Sequence, residues 1–159
     1  MCLWREGEAM EMLGLGLASM LSGAAAVTDR RTYRIPNALN GAGCICLAAF
    51  LVLKMVWGNA GVGGIVNNLE ALAVAFCLMF VVYLLGGIGA GDVKLLGVVG
   101  GFAGMESIKL ILVLSFVFGA VYGVAVLCRR PGGGLHRIHF SYAIFMAVVM
   151  CTAMTVTVS

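Results

Sequence analysis

The sequence predicts an all-α polytopic membrane protein with about six transmembrane helices. Three observations predict it. Of 159 residues, 62% are hydrophobic and only 11% charged; apolar runs recur at about the length of a spanning helix; and the basic residues gather between alternate runs. Soluble domains average about 45–50% apolar and about 25% charged residues, so this composition leaves too little charge to cover a surface in water. A formal charge of +3, scattered along the chain, excludes a nucleic-acid footprint and leaves membrane lipid as the surroundings. The chain reads as one transmembrane domain over residues 1–159.

A spanning helix needs about 20 mostly apolar residues. The first such run, 10–28, follows Glu6, Glu8 and Glu11, the opposite of the basic start of a cleavable signal peptide, so it is expected to be retained. Runs 38–57 and 66–86 come next, with Lys54 and Glu70 near their ends; the Lys54 ammonium is expected to snorkel to the interface. Segment 93–105, VKLLGVVGGFAGM, is apolar but short for about 30 Å of hydrocarbon. Runs 107–128 and 140–158 complete the set, joined by a basic, Gly-rich loop from Arg129 to Arg137 that suits acidic headgroups. No internal repeat relates the two halves.

Charge bias decides whether 93–105 crosses. If it does, Arg30, Arg31, Arg34, Lys94, Arg129, Arg130 and Arg137 share one face, against Arg5, Lys54 and Lys109 on the other. If it does not, the bias becomes four against six. The positive-inside rule therefore favours six crossings, with three loops on the cytoplasmic side.

The six cysteines (Cys2, Cys44, Cys46, Cys77, Cys128 and Cys151) form no CxxC pair and lie mostly in or beside apolar runs, where Cys acts as a small hydrophobe. With only His136 and His139 besides, no metal site and no organic cofactor is expected.

Only two of the seven acidic residues are aspartates, Asp29 and Asp92, and both fall where a run meets the predicted cytoplasmic face. Ionisable residues at membrane depth usually serve a cavity, a partner or a substrate path. Four glycines precede Asp92 in Gly86-Gly87-Ile88-Gly89-Ala90-Gly91-Asp92, and glycine allows close backbone approach and positive φ. A helix-packing face accounts for Gly87 and Gly91 but not for the acid. After Asp29 comes Ile35-Pro36-Asn37, where Pro excludes its predecessor from helix. Two carboxylates in one site share a proton and titrate as a unit. One then takes a proton from water as the water attacks a peptide carbonyl, while the other donates to the carbonyl oxygen. The two are 63 residues apart, so the sequence alone does not bring them together, nor say which is the base.

The pattern Asp29-x5-Ile35-Pro36-Asn37 followed by Gly89-x-Gly91-Asp92-x-Lys94 resembles the prepilin peptidase, or type IV leader peptidase, family. The resemblance runs over nearly the whole chain and is nearest to the short form that serves tight-adherence and related pilus systems. It implies a multi-pass aspartyl endopeptidase of a bacterial or archaeal cytoplasmic membrane. Its substrates would be prepilin-like or pseudopilin subunits with a hydrophobic N-terminal helix, cut at the cytoplasmic face. Carried over, Asp29 and Asp92 are the catalytic pair, Gly89 and Gly91 shape the loop presenting Asp92, and Lys94 is the basic position beside it. Ile35, Pro36 and Asn37 take structural or substrate-facing roles. Two departures stand out. The chain lacks the cytoplasmic CxxC domain of long members, so cleavage without N-methylation is expected; and His139 stands where the family usually has Pro, read here as an interfacial side chain.

Small residues such as Gly14, Gly16 and Ala18 are candidates to line a lateral groove for the substrate helix. Rival readings are an ion or solute transporter or proton relay using the boundary aspartates, a non-catalytic secretion-assembly protein, and an intramembrane protease sharing GxGD.

Overall fold

A computed structural model of the chain describes residues 2–32, 36–57, 61–86, 88–129 and 140–158. Within them lie five helices: α1 (Cys2–Thr32), α2 (Asn37–Trp57), α3 (Val62–Leu84), α4 (Ala90–Arg129) and α5 (Phe140–Val158). All five are long and apolar enough to cross a membrane. Their ends follow local chemistry. Pro36 stands just before α2, and its carbonyl accepts the N–H groups of Leu39 and Asn40, as suits a residue with φ pre-set for a helix start. Gly86, at φ 78°, takes the left-handed conformation that commonly stops a helix, so α3 spans Val62–Leu84 instead of 66–86.

The expected spans 93–105 and 107–128 belong to one element, α4, broken at Gly104 (φ 74°, ψ 175°), a conformation open essentially to glycine alone. Contacts on either side of the break give the direction of each arm. Helix α1 is antiparallel to α2, with Gly14 against Phe50 and Leu21 against Gly43. It is also antiparallel to α5, with Ser19 meeting Thr152 and Gly23 meeting Phe145. The first arm of α4, residues 90–103, runs parallel to α2, from Asn40 at Gly91 to Phe50 at Phe102. The second arm, 105–129, runs antiparallel to α5, from Ser107 at Cys151 to Gly119 at Phe140. The arms therefore point in opposite directions, and five helices traverse the bundle six times, as the charge bias predicts.

The first arm is about 21 Å long at 1.5 Å per residue, short for the hydrocarbon it would cross, and its surroundings explain why it is tolerated. Val93, Leu95, Leu96, Val98, Val99 and Phe102 are all buried, so protein and not lipid surrounds it, and irregular backbone at membrane depth is stable only where protein covers it. Close approach is built in: a Cβ on Gly100 would lie 2.8 Å from the Ala71 carbonyl oxygen of α3. Outward-facing Ile45, Val52, Val74, Val113, Val117 and Val121 are exposed, forming the apolar exterior a bilayer requires.

Breaking a helix strands carbonyls that would have bonded to the next turn. The buried Asn68 of α3 donates its side-chain amide to the Gly101 carbonyl at 2.7 Å, and Lys54 of α2 donates to Asn68 Oδ1 at 2.7 Å. Lys54 thus braces the break from within the bundle as well as standing at a helix end. Cys44, Cys46, Cys77 and Cys128 are free and exposed, and Cys151 is free and buried.

Candidate active site

Asp92 lies in the first turn of α4, where unpaired N–H groups and the helix dipole favour an anion. Its backbone N–H donates to the Gly89 carbonyl at 3.1 Å, which marks Gly89 as the residue that starts the helix. A Cβ on Gly89 would stand 3.3 Å from Asp92 Oδ2, so a side chain there would press on the carboxylate.

Asp29 lies in the last turn of α1, where the dipole disfavours a carboxylate. Helix stability therefore gives no reason for an acid here. It is 9% exposed, and its Oδ2 accepts a 2.7 Å hydrogen bond from the Ser141 hydroxyl at the start of α5. The antiparallel packing of α1 on the first arm, with Gly14 at Phe102, places Asp29 and Asp92 at the same end of the bundle. Buried Val93, Leu96, Phe140 and Ile144 belong to the core beside them, and such a low-dielectric setting strengthens electrostatic interactions.

The other predicted residues form the support. Gly91 presents its carbonyl to Asn40 Nδ2 at 3.3 Å. Lys94 points away from the acids, about 200° around the helix from Asp92, and donates to Asn37 Oδ1 at 3.1 Å; it pins the start of α2 to the first arm. Pro36 starts α2. Ile35 and His139 lie outside the described residues, as does most of the basic loop from Arg129 to Arg137.

Asn40 and Asn68 went unmarked in the sequence, and Ser141 stood out only as the small residue of the segment from His139 to Ile144, with no role attached. The signal for Asn40 was its place three residues after Asn37, on the same face of an apolar helix. Its Oδ1 is buried without a hydrogen-bond partner.

Two cavities flank this end. One, of about 290 Å³, is bordered by Asn37, Asn40, Cys44, Phe76 and Lys94, on the face of the first arm turned away from Asp92. The other, of about 740 Å³, is a lateral groove between α1 and α5 lined by Gly23, Ala26, Val27, Tyr142 and Phe145, with Arg30 at its edge. Of the three small residues expected along a groove, Gly14 is filled against the Phe102 carbonyl and the Phe50 ring and Ala18 is fully buried, so these two serve helix contact, whereas a Cβ on Gly16 would meet nothing within 4 Å. Among the described residues, no group of three or more His, Cys, Asp or Glu is placed to hold a metal ion.

No curated protein and no solved structure matches the chain significantly. The family model described as the type IV leader peptidase family matches residues 16–124, a stretch that includes both aspartates and ends before Ser141. Over two-thirds of its length, and with an all-helical membrane architecture, this chain belongs to the type IV leader peptidase family.

Proposed function

We propose that the protein is an aspartic-type endopeptidase that removes the basic leader from prepilin-like or pseudopilin subunits, with Asp29 and Asp92 as its catalytic pair. The observation carrying this reading is the placement of two acids from different helices, one of them against its helix dipole, at the same end of an apolar bundle. Repulsion between two carboxylates in one site favours a state with a single proton. The ionised member takes a proton from water as the water oxygen bonds to the scissile carbonyl carbon, and the protonated member donates to the carbonyl oxygen. Collapse of the tetrahedral intermediate breaks the C–N bond, and the proton taken from water passes to the leaving amine. Gly89 and Gly91 keep the approach to Asp92 open, while Pro36 starts α2 and the bond from Lys94 to Asn37 ties that start to the first arm.

The predominance of basic residues in the loops at this end supports a cytoplasmic site in a bacterial or archaeal cytoplasmic membrane, the side on which leaders remain. The groove between α1 and α5 suits the substrate's hydrophobic helix, because its lining is mostly apolar and includes Ala26 and Arg30 from the end of α1 that carries Asp29. Cleavage without N-methylation is supported by the chain's lack of paired CxxC motifs.

The test is co-expression with a prepilin-like subunit and mass measurement of its N-terminus, for the unchanged protein, Asp29→Asn and Asp92→Asn. Leader loss with the unchanged protein alone, at equal membrane levels, and an unmethylated product are expected. Cleavage by either variant at the unchanged rate would overturn the pair, and persistent absence of cleavage by the unchanged protein would favour a transporter or assembly role.

A further inference from the structure

We infer that Ser141 is a positioning residue of the acid pair: its hydroxyl holds Oδ2 of Asp29, and so turns Oδ1 toward Asp92 and the attacking water. The inference rests on the peptidase reading above and adds a residue from beyond the stretch the family model matches. Ser141 is fully buried, and the bond it donates to Asp29 is 2.7 Å long.

The two acids differ in what their own helices offer them. A helix start exposes N–H groups and a helix end exposes carbonyls. Asp92 stands in the first turn of α4, among such N–H groups and beside Gly89. Asp29, at the end of α1, has only carbonyls near it along its own helix, and the final torsion of an Asp side chain is broad. An external donor is needed to fix it, and α5 supplies one.

Ser141 is free to do so because of where it stands. Hydroxyls inside a helix commonly bond back to the carbonyl four residues earlier, as Ser19, Thr152 and Thr155 do here. Ser141 is the second residue of α5, so the residue four before it precedes the helix, and its proton crosses to another helix instead. The turn that carries it is anchored by Phe140, whose ring packs with that of Phe116 at 6.2 Å between centroids and against Gly119. Burial alone does not provide a partner, for the Ser115 hydroxyl is equally buried and has none.

The test uses the purified full-length protein and a prepilin-like peptide with a basic leader and an apolar helix, comparing the unchanged chain, Ser141→Ala, Ser141→Thr and Asp29→Asn. Misplacing a reacting group by about 1 Å costs on the order of 100-fold in rate, so Ser141→Ala is expected to lower kcat by about 10- to 100-fold. Its KM should stay within about twofold, the signature of an interaction used at the chemical step. Ser141→Thr, which keeps the hydroxyl, should recover most of the loss. A kcat for Ser141→Ala within about twofold of the unchanged protein, or a loss confined to KM, overturns the inference. If Ser141→Ala fails to accumulate, Ser141→Cys, nearly isosteric with a weak donor, is read by the same criterion. Asp29→Asn separates the two levels: full activity in that variant overturns the acid pair itself, whereas its loss beside a normal Ser141→Ala overturns only the role of Ser141.

Discussion

The two ends of the first arm of α4 treat their polar groups in opposite ways. At the end near Gly104 the groups form a closed series: the Gly101 carbonyl accepts from Asn68, and Asn68 accepts from Lys54. At the end near Asp92 two acids share one end of the bundle, and the neighbouring Asn40 keeps a buried oxygen without a partner. Both ends are made by the same short helix in the same apolar bundle. The first arrangement is what stability asks of a broken helix; the second is costly, and places where a chain departs from local rules are where function is expected.

The sharpest way to break this contrast is to neutralise the acids. Asp92→Asn and Asp29→Asn should each lower leader cleavage by about 10²- to 10⁴-fold, the range supplied by positioned acid–base groups. Thermal unfolding in detergent should stay level or rise, since a like-charge contact is removed; a large drop in unfolding temperature would assign the acids to structure. At the other end the signs reverse. Asn68→Leu leaves the Gly101 carbonyl and the Lys54 ammonium without their partner, at a cost of about 1–3 kcal/mol for each stranded group, read as reduced unfolding temperature, with kcat of the folded protein nearly unchanged. Gly104→Ala should cost about 1–3 kcal/mol by forcing a side chain into a conformation reserved for glycine, and its Cβ would also sit 3.0 Å from Asn67 Nδ2. Lys94→Ala should be mildest, about 0.5–1.5 kcal/mol for an exposed hydrogen bond, with cleavage little changed. A kcat collapse in Lys94→Ala would mean that its ammonium reaches the acids during turnover.

Much of this contrast was legible in the sequence at the near end and little at the far one. Asp29, Asp92 and the residues around them stood out because acids are rare in this chain and glycines cluster beside one of them. The six traverses were legible because loop charge records orientation, even though hydrogen bonding merges two of them into α4. The partners of Asn68 and Ser141 were not legible, and Ser115 explains why. Ser115 and Ser141 are both serines in mostly apolar helices, both fully buried. Only one meets an acid, 112 positions away in the chain, and that depends on helix pairing, which no local pattern encodes. Lys54 was read as an interfacial anchor for the same reason: its partner exists only once Gly104 breaks a helix.

The bond between Ser141 and Asp29 also sets a timetable. Asp29 emerges from the ribosome early and Asp92 midway, yet the hydroxyl that holds Asp29 arrives only with the last helix. A chain still lacking α5 already carries both acids but has Asp29 without that hydroxyl, so this contact between the first helix and the fifth forms only when α5 docks.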